Sequence, residues 1–97
     1  MFYVYILQSE KEHRLYIGKT RNLKRRVEEH NAGQNLSTKS YRPLTLIFYE
    51  AYVNSDDARR REGYLKTTQG RQAIRRMLRS HLNQYDKINF EYQGSTT

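Results

Sequence analysis

Residues 2–7, FYVYIL, form an unbroken run of aromatic, β-branched and aliphatic side chains, which predicts a short strand covered at least partly on both faces. A polar stretch from Ser9 to Arg14 follows, and RLYIG at 14–18 resumes the strand pattern. Residues 2–18 are therefore expected to form an antiparallel hairpin with a long turn. Alternation puts Phe2, Val4 and Ile6 on one face and Tyr3, Tyr5 and Leu7 on the other. Thr20 or Asn22 is placed to cap a helix running to about Ala32, with Gly33 as its stop. Loop residues fill 34–43, and LTLIFYEAY at 44–52 predicts a third strand, with Leu44, Leu46 and Phe48 on one face and Thr45, Ile47 and Tyr49 on the other. Ser55 offers an N-cap, and Asp56 and Asp57 suit the first turn of a helix reaching about Thr67. Gly70 is expected to separate it from a third helix whose buried stripe is Ile74, Met77, Leu78 and Leu82. Ile88, Phe90 and Tyr92 alternate as an edge strand would, and Gly94 to Thr97 are expected to fray. The order β-β-α-β-α-α predicts an α+β fold, a small three-stranded antiparallel sheet flanked by helices. It makes one domain of residues 1–82 and a partly flexible extension of 83–97.

With 97 residues and 36% hydrophobic content, a second domain is excluded and the core is small. Nine tyrosines must supply much of it, since so short a chain buries only roughly two thirds of its unfolded surface. The absence of cysteine excludes disulfides, a disulfide-linked partner and thiolate metal sites, and suits a reducing cytoplasm. No apolar run approaches a membrane span and no export signal is visible, so no membrane partner is expected. The net charge of +8 and isoelectric point near 9.9 favour a polyanion, nucleic acid first. The excess lies on residues 19–30 and 55–79, both read as helices. A run such as Arg59, Arg60 and Arg61 is most often a solvated surface, yet two such helices on one small domain raise the weight of phosphate contact. Gly18-Lys19-Thr20 could end a phosphate-binding loop, but His13 stands where that loop needs its first glycine.

Helical spacing sets polar residues where apolar ones are expected. Arg26 and His30 fall on the same stripe as Leu23 and Val27, and Glu62 lies between Ala58 and Leu65. A charge turned inward is costly unless paired, bound to a metal or open to water, so two such helices point to a shared polar site. The bland alternative is a half-buried Arg26–Glu62 ion pair beside a core histidine. Tyr5 and Tyr16 each precede an isoleucine on neighbouring strands, and buried phenols need hydrogen-bonding partners; cross-strand packing explains such pairs as well.

Tyr3-Val4-Tyr5 and Tyr16-Ile17-Gly18 resemble the two halves of the GIY-YIG endonuclease signature, and the match runs through roughly residues 2–80. The chain is similar to small stand-alone members and to the N-terminal nuclease domain of the excision-repair nuclease, excinuclease. The resemblance assigns Arg26 to the family arginine, His30 to a histidine of some members, Lys19 to the lysine after the glycine, and Glu62 to the metal-binding glutamate. Tyr3 replaces the first glycine, and Ile74 stands where many members carry asparagine, with Gln69 and Gln72 as the nearest amides.

This resemblance implies hydrolysis of a phosphodiester, DNA favoured over RNA, with one Mg²⁺ or Mn²⁺ on Glu62. Arg26 would hold the scissile phosphate, and Tyr5 or Tyr16 would act as general base, with His30 as a third candidate. A free phenol has a pKa of about 10, so Lys19, Arg26 and the metal would have to lower it. Lys39, Arg42, Arg59, Lys66, Arg71 and Arg75 would track the backbone. Repair, restriction or nucleic-acid turnover in a bacterial cytoplasm all fit, and oligomeric state is open. The rivals are a non-catalytic nucleic-acid-binding module on the same fold and a structural domain with a solvated basic surface.

Overall fold

The computed structural model describes residues 1–85 and 88. Its sheet has three antiparallel strands, β1 (Phe2–Ser9), β2 (Leu15–Thr20) and β3 (Leu44–Tyr52), in the order β2-β1-β3. Helices α1 (Leu23–Asn31), α2 (Ser55–Leu65), α3 (Thr68–Met77) and α4 (Arg79–Leu82) cover it, giving the expected α+β class.

Apolar residues sort onto the two faces of the sheet. Val4, Ile6, Leu15 and Ile17 bury one face against Ala58 and Leu65 of α2, Ile74 of α3 and Leu82 of α4. Tyr5, Leu7, Tyr16 and Leu44 bury the other, against Leu23 and Val27 of α1. Thus α1 lies on one side of the sheet and α2 to α4 on the other. Asn22 caps α1 by accepting from Arg25 N. Past the helix end, Gly33 takes φ +81°, a value that favours glycine. The Asn31 amide then ties α1 to the sheet, donating to Leu44 O at 2.9 Å and accepting from Leu44 N at 2.8 Å.

Four expectations change. The pairing of β1 with β3 slips between Ile6 and Leu7, so that Ile6 faces Phe48 while Leu7 faces Leu46. This bulge turns Phe48 away from Leu44 and Leu46 and onto the α2 side, where it packs with Ile47. Asn54 rather than Ser55 caps α2, which ends at Leu65. Gly70 does not separate two helices but lies within α3, whose cap is Thr67, accepting from Gly70 N. A Cβ at Gly70 would collide with the Tyr64 carbonyl and Leu65 backbone, so glycine serves close approach of α3 to the end of α2. Last, the predicted third helix breaks at Leu78 into α3 and α4. Met77, the last residue of α3 before the break, is exposed, while Ile74 and Leu82 are buried. Ile88 packs against the core; Phe90, Tyr92 and the expected fraying end lie outside the described residues.

Candidate active site

Tyr5 sits in the central strand opposite Gly18 of β2. A Cβ at Gly18 would overlap the Tyr5 ring and hydroxyl, so glycine in the second half-signature gives the phenol its seat. The ring passes over that gap towards α1. There Arg26 Nε donates to Tyr5 Oη at 3.3 Å, and His30 Nε2 lies 3.1 Å from the same oxygen. His30 Nδ1 is 2.9 Å from Thr38 Oγ1, and Thr38 Oγ1 donates on to Asn35 O at 3.4 Å. Arg26, Tyr5, His30, Thr38 and the Asn35 carbonyl thus form one polar chain, in which Tyr5, His30 and Thr38 are buried.

Donor inventory limits the direction of this chain. A guanidinium only donates, so Tyr5 Oη accepts from Arg26 and keeps its single proton to donate, with His30 Nε2 the partner within reach. In that arrangement Nε2 accepts and the histidine proton sits on Nδ1, facing Thr38. Burial, with help from the Arg26 charge and against that of Glu29, pushes His30 down to about 4, so it is neutral at pH 7. The folded pKa lies below the usual value of about 6.5, so this stability is present above pH 6.5 and lost as pH falls through 4. Urea titrations should show up to about 2–3 kcal/mol disappearing across that window, and His30→Gln should flatten the dependence; equal slopes would contradict the assignment.

Expectation and structure part over the phenol. Burial raises the Tyr5 pKa and outweighs the lowering by Arg26, while Glu62 and Glu29 raise it further. The resting protein holds Tyr5 protonated. Tyr16 is likewise buried, its ring 6.0 Å from that of Tyr41.

Glu62 comes from α2, on the other side of the sheet, yet lies near enough to Tyr5 for its charge to oppose ionisation of the phenol. It does not pair with Arg26. Its carboxylate accepts from Lys66 Nζ at 3.1 Å, and the pair is largely buried. Arg26 instead pairs with Glu29 at 3.1 Å, which also holds Arg25 at 3.2 Å. Hydrogen bonding to Arg26, against desolvation and with help from Arg25, holds the Glu29 carboxyl below the usual range. Arg26 and Glu29 open onto a cavity of about 410 Å³ lined also by Lys19, Arg21, Asn22 and Arg25. Arg26 thus joins the buried phenol to a basic, solvent-reachable mouth at the β2 edge, which neither Tyr5 nor Glu62 itself lines.

The backbone-tracking candidates do not form one patch. Lys39 is exposed and Arg42 half-buried, with Arg42 Nε donating to Lys39 O at 2.8 Å; they lie with Tyr41 on the α1 side. Arg59, Arg71 and Arg75 stand on helices of the opposite side. Arg59 is paired with Asp56 at 3.2 Å, and Lys66 is committed to Glu62. Ile74 lies fully buried in the core, while Gln69 and Gln72 are exposed. Sequence reasoning missed Glu29, Lys66 as a partner of Glu62, and Thr38. The first two stand at helical spacings of three and four from Arg26 and Glu62, a usable signal; Thr38 sits in an aperiodic loop with none.

Among the described residues, no cluster of three or more histidine or acidic side chains could hold a metal. One carboxylate fits only an ion that keeps water and substrate oxygens in its shell, as Mg²⁺ does. Nor is any described helix long and apolar enough to cross a membrane.

Residues 1–77 match the model of the GIY-YIG catalytic domain. A UPF0213 protein of Staphylococcus haemolyticus is 38% identical over 74 residues, covering 75% of this chain and 89% of its own. One from Clostridium perfringens is 40% identical over 67 residues, covering 68% and 71%, and one from Pediococcus pentosaceus is 47% identical over 58, covering 59% and 60%. No solved structure matches significantly. With both half-signatures in register on one hairpin and the family model spanning most of the sequence, this chain belongs to the GIY-YIG family, whose domain is of nuclease type.

Proposed function

We propose that this chain is a metal-dependent endonuclease that hydrolyses phosphodiester bonds of DNA. The observation that carries the reading is the meeting of Tyr5, Arg26 and His30 within hydrogen-bonding distance behind a basic cavity, with the Glu62 carboxylate felt from the other side of the sheet. Glu62 would hold one Mg²⁺ or Mn²⁺. When bound, such an ion supplies charge stabilisation at the phosphate and the leaving oxygen.

Each charged member of the site already holds a stand-in for what it would bind. Lys66 lies on Glu62 as a cation, and Glu29 lies on Arg26 as an anion. A phosphate group would displace Glu29 and take the planar fork of Arg26, which gains most as charge builds in the transition state. The phosphate would take the place of Glu29 as the anion on Arg26, and its charge would favour a proton on His30 Nε2 as that of Glu29 does at rest. Tyr5 then takes a proton from the attacking water while passing its own to His30 Nε2. The new phosphorus–oxygen bond forms as the bond to the leaving oxygen breaks, and that oxygen is protonated from solvent. In this scheme Tyr5 is a relay rather than a standing phenolate, which suits its raised pKa.

Lys19, Arg21 and Arg25 at the mouth, then Lys39 and Arg42 to one side and Arg59, Arg71 and Arg75 to the other, would contact the backbone on either flank. Such contacts give salt-sensitive affinity with little base readout. The test is a screen of labelled single strands, duplexes, flaps and junctions, as DNA and as RNA, with Mn²⁺ and with a chelator. Nicking of at least one DNA substrate with Mn²⁺, lost on chelation, is expected. Salt-dependent binding without any cleavage would favour the non-catalytic binding module.

A further inference from the structure

The polar chain does not end at His30. Thr38 is fully buried, it lies in the loop between α1 and β3, and its hydroxyl faces His30 Nδ1 at 2.9 Å. The same hydroxyl lies 3.4 Å from Asn35 O, towards which it donates, and the backbone N of Thr38 donates to that carbonyl at 3.2 Å. A hydroxyl has one proton. With that proton directed to a carbonyl, which can only accept, Thr38 Oγ1 meets His30 as an acceptor.

We infer that Thr38 is a positioning residue, which holds His30 as the Nδ1–H tautomer and thereby commits the Tyr5 hydroxyl to donating towards His30 Nε2. The alternative tautomer would place an Nε2–H against Tyr5 Oη, which already accepts from Arg26 Nε. Two donors would then converge on one phenolic oxygen, and the phenol proton would lose its acceptor on His30. The Asn35 carbonyl at one end and the Arg26 guanidinium at the other thus favour the same direction along the chain. The loop that carries Thr38 is anchored at the same end by Tyr41, whose carbonyl accepts from Ser9 Oγ at 2.7 Å. His30 is thereby held from both its nitrogens by segments 25 and 8 residues away in sequence.

This inference deepens the proposed reaction, and only its kinetic consequence rests on that reading. A histidine in the wrong tautomer cannot receive the phenol proton, so loss of the Thr38 acceptor slows the step while leaving phosphate binding untouched.

The test uses the full chain labelled with ¹⁵N-histidine, with the His30 signals assigned by their absence from His30→Gln. Wild type at pH 7 is expected to show a protonated Nδ1 and an unprotonated Nε2. Thr38→Val, which keeps the shape and removes the acceptor, is expected to shift His30 to the other tautomer or a mixture, and Thr38→Ser to restore the wild-type pattern. On any substrate that wild type nicks, Thr38→Val should lower kcat by about tenfold or more with KM within about twofold, and Thr38→Ser should recover most of it. A wild-type Nε2–H tautomer, or a Thr38→Val protein that folds with the Nδ1–H tautomer and kcat unchanged, would overturn the inference. If Thr38→Val does not fold, the wild-type tautomer and the Thr38→Ser kinetics decide. Absence of nicking by wild type would defeat the proposed function alone, because the tautomer is read in the resting protein.

Discussion

Replacing Tyr5 with phenylalanine is expected to cut the nicking rate by roughly two to four orders of magnitude, the range of a lost acid–base group, with the fold intact. The ring keeps its seat over Gly18, so packing is unchanged. What disappears is the oxygen that joins Arg26 Nε to His30 Nε2. Leaving a buried imidazole nitrogen without its donor costs about 1–3 kcal/mol, which urea unfolding would register as a modest drop. KM should move little, because Arg26 retains its guanidinium for the phosphate. A Tyr5→Phe protein within threefold of the wild-type rate would shift the base to Tyr16.

Ile74→Asn carries the largest expected effect on stability. The family resemblance invites this change, since it implies that many members carry asparagine at that place. The structure gives the position to the core, where Ile74 is fully buried with Leu65, Ala58 and Leu82. The substitution removes buried apolar volume and sets an amide among aliphatic neighbours. Together these should cost about 4 kcal/mol or more, a large part of the roughly 5–15 kcal/mol that holds a domain together. The melting temperature should fall by about 20 °C, with no gain in nicking. A variant of wild-type stability and higher activity would show that the side chain at 74 reaches the site.

How much of this was legible in the sequence depended on whether a feature was local. Residues 44–52 were predicted as a strand and are β3, because nine mostly apolar residues between turn signals leave little choice. The helical stripe put Arg26 and His30 on one inward face, and they do lie together against Tyr5. What escaped depends on contacts between segments far apart in the chain. The bulge opposite Ile6 and Leu7 is a property of two strands, so alternation within β3 alone put Phe48 on the wrong face. Gly70 looks like punctuation until Tyr64 and Leu65 are seen against it. Thr38 belongs to a loop without periodicity, and only the fold brings it to His30. The charges were placed on the right helices, but the alternative of an Arg26–Glu62 ion pair does not form, since Glu29 and Lys66 pair with Arg26 and Glu62 from within their own helices.

Those local partners define the resting state. Glu62 is only 6% exposed and neutralised by Lys66, and Arg26 is neutralised by Glu29, so neither is spent on the other and both can be claimed by incoming groups. An Arg26–Glu62 pair would have tied the two helices together and consumed the site. The separation is the physical basis for treating the cluster as a reaction centre rather than as a structural ion pair.

The most direct measurement compares wild type with Glu62→Gln on one labelled DNA substrate, reading Mn²⁺-dependent nicking and gel-shift affinity side by side. The account predicts that the variant binds within about threefold of wild type and does not nick at any Mn²⁺ concentration. Nicking by Glu62→Gln at the wild-type rate, or a wild-type protein that binds and never cuts, would contradict it.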